Sequence, residues 1–235
     1  MRRSHSSPSS GASRRLLPDR EGLLGPLALT ERGVRASLDP FYPIVDSAAW
    51  VARLVGAGAR LVQLRIKDKD EAWVARETRV ALKTCADIGA VLVVNDYWRI
   101  AIGEGASWVH LGQGDLDDAE IGAIRKAGLQ LGVSTHDDAE LERALKLDPD
   151  YVALGPIYPT ILKAMAFAPQ GLKRIGDWKR RIGGIPLVAI GGLNVERAKL
   201  CLAAGADVVS VVTDITLHPD PEARAREWIA ATRSA

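Results

Sequence analysis

Cysteine is almost missing from this 235-residue chain, which has only Cys85 and Cys201. The two stand far apart with no Cys or His at zinc-ligand spacing. That excludes a disulfide framework and a structural zinc site, and reads both thiols as small buried hydrophobes in a reducing cytoplasm. Aromatic residues are also scarce, at 5%, and charge of one sign does not accumulate, the formal net charge being +2. Residues 1–35 hold seven Arg against three acidic residues, leaving 24 basic against 26 acidic side chains in the rest. A reader of nucleic-acid backbones needs a dense basic face and rings for stacking, so that class is set aside. No apolar run approaches the roughly 20 residues that cross a bilayer, so no membrane partner is expected. The first apolar run passes into IVDSAAW, with no Gly-x-Gly-x-x-Gly after it, so the signature of a doubly wound dinucleotide fold is lacking.

What the chain has is apolar residues, 47% of the total, enough for a substantial core. The opening MRRSHSSPSSGASRR is rich in Ser and Arg and cannot bury enough side chain to offset its ordering entropy, so residues 1–35 are expected to form a disordered tail. Its Arg-Arg pair resembles a targeting signal, but the later LLGPLALT is short and broken by Pro26, which favours a flexible tail or an over-extended start instead. From Phe41 onward eight apolar runs alternate with segments of helical periodicity: FYPIVD, LVQLRI, VLVVND, WVHLGQ, QLGVST, YVALGPI, PLVAIGG and DVVSVVTDI. SAAWVARLVGAG has Gly56 and Gly58 as stop signals, and in NVERAKLCLAAG Asn194 suits the N-cap and Gly205 the C-terminal end. Residues 36–235 are therefore expected to form one small (β/α)₈ TIM barrel, an α/β catalytic domain.

Polar residues collect where many of these runs end: Arg65 and Lys67, Asn95 and Asp96, Gln113 and Asp115, Ser134 and His136, Thr160, Gly191 and Gly192, and Thr213. A closed parallel barrel gathers such ends on one rim. Asp96 and Asp115 end the third and fourth runs, and paired carboxylates suit Mg²⁺, which is completed by waters and substrate phosphates. Asp at a strand-to-helix turn also serves as an N-cap, here of a helix from Tyr97 and another near Leu116. Arg65, Lys67 and Lys163 supply cations able to neutralise a diphosphate, whereas KDKDE beyond Lys67 reads as a solvated face. AIGGLN and VVTDI fall where barrels of this class bind phosphate, after strands seven and eight. The sixth connection, GPIYPTILKAMAFAPQG, is either a substrate clamp or a proline-stiffened link. His110 reads as a satisfied barrel histidine. Ser134 has no acid and base beside it in sequence for a Ser-His-Asp hydrolase, which leaves it a hydrogen-bonding role.

Taken in order, QLRIK, VNDYWRIA, VHLGQGDL, GVSTH, ALGPIYPTILK with APQG, VAIGG and VVTDI resemble the thiamine phosphate synthase family over nearly all of the chain from Phe41. The resemblance implies a transferase that joins 4-amino-2-methyl-5-(diphosphomethyl)pyrimidine to a thiazole phosphate by a dissociative, Mg²⁺-assisted substitution releasing pyrophosphate. It implies that Asp96 and Asp115 bind the metal. Arg65, Lys67, Asn95 and Lys163 would surround the diphosphate and pyrimidine, with Gln63 reading the pyrimidine ring and Ser134 near the leaving group. Thr160 and Gly192 would hold the thiazole phosphate, beside rim contacts from Val212 and Thr213. Two positions depart from the family pattern: T-x-T-K is here Thr160, Ile161, Leu162 and Lys163, and Ser-x-Ile begins here with Thr213. Two rivals stand beside this reading: a thiazole tautomerase-like isomerase, which needs no magnesium–diphosphate site, and a non-catalytic ligand-binding barrel. Small-molecule substrates are the only partners implied, and no oligomeric state is specified.

Overall fold

The structure, a computed structural model, describes Met1 and residues 38–160 and 167–234. Residues 2–35 of the expected tail, and Ile161, Leu162 and Lys163, lie outside the described residues. Eight strands close in chain order into a parallel barrel: β1 (Phe41–Val45), β2 (Leu61–Leu64), β3 (Val91–Asn95), β4 (Trp108–Leu111), β5 (Gln130–Thr135), β6 (Tyr151–Leu154), β7 (Leu187–Ile190) and β8 (Val208–Val211). The helices between and after them are α1 (Ala48–Gly56), α2 (Glu71–Ala86), α3 (Trp98–Gly103), α4 (Ile121–Lys126), α5 (Asp138–Leu145), α6 (Gly171–Ile182), α7 (Val195–Ala203), α8 (Thr213–Thr216) and α9 (Pro221–Arg233), with a 3₁₀ turn at Asp115–Asp117. None is long and apolar enough to cross a membrane.

The strands are short and apolar because each is buried on both faces, as a parallel sheet wrapped in helices requires. Outward side chains such as Val62, Leu92, Val109 and Val152 pack on the helices, including Val51 and Leu54 of α1, Ile175 of α6 and Trp228 of α9. Inward positions recur every second residue and change in chemistry along the barrel axis. An apolar floor of Leu61, Val93, Trp108, Tyr151, Val188 and Val208 lies at one level. Two residues further along the same strands, Gln63, Asn95, His110 and Ser210 form a buried polar layer. Gly132 makes this layering possible. It pairs with His110 on one side and Tyr151 on the other, and a Cβ there would lie 2.0 Å from the Tyr151 ring.

Helix starts follow side-chain capping, each cap worth about 1 kcal/mol. Ser47, Asp70, Asp137, Asn194 and Asp220 each accept from a backbone N–H three residues on, and Gly205 follows α7 with φ +109°. Asp96 and Asp115 are not among the caps. α3 starts from Tyr97 with no side-chain cap, and Asp115 accepts from the upstream amide of Gly112 at 2.9 Å. Both carboxylates are therefore aimed at the barrel mouth rather than used up by their own helices. Asp68, Lys69 and Asp70 are exposed, in keeping with a solvated face beyond Lys67.

Candidate active site

A cavity of about 440 Å³ opens at the carboxyl ends of the strands. Of the residues singled out from sequence, Arg65, Lys67, Asn95, Asp96, Asp115, Ser134, Thr160, Gly192, Val212 and Thr213 all line it. Gln63 is not in the lining: it is buried, its amide nitrogen donating to Tyr42 Oη at 2.8 Å. Lys163 lies outside the described residues.

One wall carries charge. Asp96 sits in the left-handed region at φ +64°, a conformation that Asp tolerates better than most residues, and its carboxylate pairs with Lys67 Nζ. Asp115 is raised above the usual carboxylate range, chiefly by burial and then by the negative charge of Asp96 beside it; the Gly112 amide and Lys67 pull the other way. Two carboxylates thus share one corner with incomplete neutralisation, a donor set that suits a hard divalent cation. No group of three or more His, Cys, Asp or Glu comes together among the described residues. The corner therefore fits Mg²⁺, which keeps waters and takes further oxygens from a substrate, rather than a cation caged wholly by protein. Three orphaned buried atoms belong to cavity residues: Asn95 Nδ2, Gln113 Oε1 and Ser210 Oγ have no hydrogen-bond partner among the described residues. Buried polar groups left unpaired are costly, so this lining is built for a polar ligand.

Beneath that wall runs a chain of hydrogen bonds. Gln63 Nε2 reaches Tyr42 Oη, which is 2.9 Å from Tyr151 Oη; that oxygen is 2.7 Å from His110 Nδ1, and His110 Nε2 is 2.7 Å from Ser134 Oγ. The His110 ring stacks on Tyr151 with centroids 5.5 Å apart. Burial pushes the imidazole down to about 4, so it is neutral at physiological pH. His110 is the satisfied barrel histidine expected from sequence, and its partner is Ser134, which is not remote from a base after all. No carboxylate completes a triad, because the other ring nitrogen meets a phenol.

The opposite wall is made by two loops locked together. Ile157 and Tyr158 donate backbone N–H bonds to Ile190 and Gly191, extending the pairing with β7, and Gln170 and Gly171 donate back to Pro156 and Ile157. The two ends of the sixth connection are thus pinned at its base. Gly191 and Gly192 have φ +100° and +66°, and a Cβ on Gly192 would lie 2.3 Å from the Pro159 carbonyl oxygen. The glycine pair is accordingly demanded by loop packing as well as by any ligand. Arg197, in the first turn of α7, donates to the Gly192 carbonyl at 2.5 Å and lies 4.6 Å over the Tyr158 ring.

A family model described as "Thiamine monophosphate synthase" matches residues 41–215. The chain belongs to the thiamine monophosphate synthase family. A thiamine-phosphate synthase from Rhizobium etli is 62% identical over 195 residues, which are 83% of this chain and 96% of that protein. One from Cronobacter sakazakii is 50% identical over 192 residues, 82% of this chain and 88% of that protein. Among solved structures, the thiamine phosphate pyrophosphorylase from Pyrococcus furiosus superposes with a TM-score of 0.74 at 24% identity, covering 83% of this chain and 96% of its own. That likeness concerns the fold.

Within this member of the thiamine monophosphate synthase family, the cavity residues Ser210, Glu140 and Phe167 escape the sequence reading, which places His136 on the rim without a role. Ser210 stands inside the apolar run of β8, and its inward position follows from Val208 two residues earlier. His136 and Glu140 form a pair at 2.7 Å, with the His136 amide also donating to Glu140, and the Phe167 ring stacks on His136 at 4.6 Å. An i, i+4 His–Glu spacing is a usable signal for the first contact. Nothing local to Phe167 points to the second.

Proposed function

We propose that this chain couples a pyrimidine methyl diphosphate to a thiazole phosphate, forming thiamine phosphate and pyrophosphate. The observation that carries the reading is the two-walled cavity. Asp96, Asp115, Arg65 and Lys67 stand on one side, and Thr160, the Gly191–Gly192 turn and Thr213 on the other. A diphosphate needs the first wall and a second, singly phosphorylated reactant the other. An isomerase of thiazole phosphate alone would have no use for the carboxylate and cation wall.

Asp96 and Asp115 are the residues that would hold Mg²⁺, which when bound supplies positive charge to the diphosphate oxygens. Arg65 and Lys67 add to that charge, so that the carbon–oxygen bond to the diphosphate breaks with the electron pair leaving on pyrophosphate. Lys163 belongs with these cations in this reading. Ser134 donates to the leaving group and Asn95 offers its unpaired amide to the pyrimidine; Gln63, whose amide is engaged by Tyr42, acts on that ring only indirectly. Thr160, Gly192, Val212 and Thr213 position the thiazole phosphate so that its ring nitrogen faces the methylene carbon and forms the new bond. No protein nucleophile enters, and the chain's contribution is placement and charge. Both thiols are buried and free, with burial pushing Cys85 up to about 11 and Cys201 up to about 12, and neither enters the reaction.

Calorimetry with each ligand alone tests the assignment of the two walls. Arg65→Ala should weaken pyrophosphate binding in the presence of Mg²⁺ by roughly tenfold or more and leave thiazole phosphate binding unchanged. A protein that binds thiazole phosphate, ignores the pyrimidine diphosphate with Mg²⁺ and is indifferent to Arg65→Ala would contradict it.

A further inference from the structure

We infer that the buried chain Gln63–Tyr42–Tyr151–His110 is a directional relay that turns the Ser134 hydroxyl into a hydrogen-bond donor toward the cavity. The direction follows from counting protons. The Gln63 amide nitrogen faces Tyr42 and can only donate, so Tyr42 Oη accepts there. The Tyr42 proton then has one acceptor left among the described residues, Tyr151 Oη, and the Tyr151 proton in turn has only His110 Nδ1. Nδ1 is therefore unprotonated and Nε2 carries the hydrogen, which it donates to Ser134 Oγ. An imidazolium would donate from both nitrogens and leave the Tyr151 proton with no acceptor inside the barrel.

The consequence lies at the cavity. Ser134 Oγ already accepts from His110, so its own proton turns toward a ligand, and the oxygens of a departing pyrophosphate are acceptors only. The reverse relay would tie the Ser134 proton to His110 and present only lone pairs to that anion, which is repulsive. Gly132 gives Tyr151 the space to stand in line. Tyr42, Tyr151 and His110 are thus positioning residues that act through Ser134, and Gln63 sets the polarity of the line. The role of Ser134 toward pyrophosphate rests on the function proposed above; the direction of the relay does not.

Two measurements on the full chain separate these claims. Nitrogen-15 spectra of the histidine-labelled protein near neutral pH should show His110, identified by its loss in His110→Gln, as the single tautomer protonated at Nε2. The Nδ1-protonated form or an imidazolium would overturn the relay, and this spectrum decides even where a variant folds poorly. Next, pyrophosphate with Mg²⁺ is titrated into Tyr151→Phe, Ser134→Ala and the double variant. Each single change should weaken binding about tenfold, and the double variant should be no weaker than Ser134→Ala, while thiazole phosphate binding stays within twofold. Losses that multiply in the double variant would show that Tyr151 does not act through Ser134. Absence of thiamine phosphate formation by the unaltered chain would remove the functional reading and leave the tautomer result standing.

Discussion

Replacing Gly132 by alanine adds one methyl group in the middle of the barrel, and the geometry dictates a large effect. The new carbon would lie 2.0, 2.3 and 2.4 Å from three atoms of the Tyr151 ring and hydroxyl, where carbon contacts settle near 3.5–4.0 Å, so the ring must move by roughly 1.5 Å. It cannot do so freely. Its hydroxyl is held by Tyr42 and His110, and its faces by His110 and Trp108 at 5.5 and 5.8 Å between centroids. Overpacking a core costs about 1–3 kcal/mol, and breaking the buried bonds of Tyr151 adds about 1–3 more. The expected loss is about 2–6 kcal/mol, or a fall in Tm of roughly 4–24 °C for a chain of this size. Gly122→Ala is the control: it lies in α4 with open space around it, so the same change should stabilise by about 0.5–1 kcal/mol. Urea and thermal unfolding of both variants make the comparison. A Gly132→Ala protein within 1 kcal/mol of the parent (about a quarter of the expected loss) would show that Tyr151 is not fixed as described.

Three further outcomes follow from the same geometry. Asp96→Ala and Asp115→Ala should each abolish Mg²⁺-dependent turnover while leaving Tm within a few degrees, because neither caps a helix; loss of stability with turnover retained would restore the capping role. Since burial holds His110 down to about 4 against 6.5 in the unfolded chain, the unfolded state takes up the proton first and stability falls as pH drops through that window. Unfolding free energies from urea titrations at pH 7 and 5 should differ by about 2 kcal/mol more in the parent than in His110→Gln, and equal differences would count against a neutral buried imidazole. Arg197→Ala, which frees the Gly192 turn from Tyr158, should raise the KM for thiazole phosphate several-fold and leave that for the pyrimidine diphosphate alone; a parallel rise in both would mean that the link serves the whole fold.

The barrel was legible because parallel strands buried on both faces must be short apolar runs, and eight such runs separated by helical segments have few other closures. Asn194 and Gly205 read correctly because caps are local. The rim residues were legible for a related reason: they stand at run ends, which this fold brings together. What one chain segment cannot reveal is contact between strands. Gln63 looks like a rim residue beside Arg65, yet it lies one pleat lower and meets Tyr42 from the neighbouring strand. Ser134 and His110 look isolated, and only the pairing of β4 with β5 puts them 2.7 Å apart. Gly192 looks like a ligand cradle, whereas the approach of Pro159 already forbids a side chain there. Asp96 looks like a cap, and its positive φ turns it to Lys67 instead.

The most direct test of the central claim is product formation by the purified chain given both substrates and Mg²⁺, with thiamine phosphate and pyrophosphate quantified together. The two-walled site predicts that they appear in equal amounts, that omission of either substrate or of Mg²⁺ stops both, and that Asp115→Ala makes neither. Release of pyrophosphate without thiamine phosphate, or rearrangement of the thiazole phosphate with the diphosphate left intact, would contradict it.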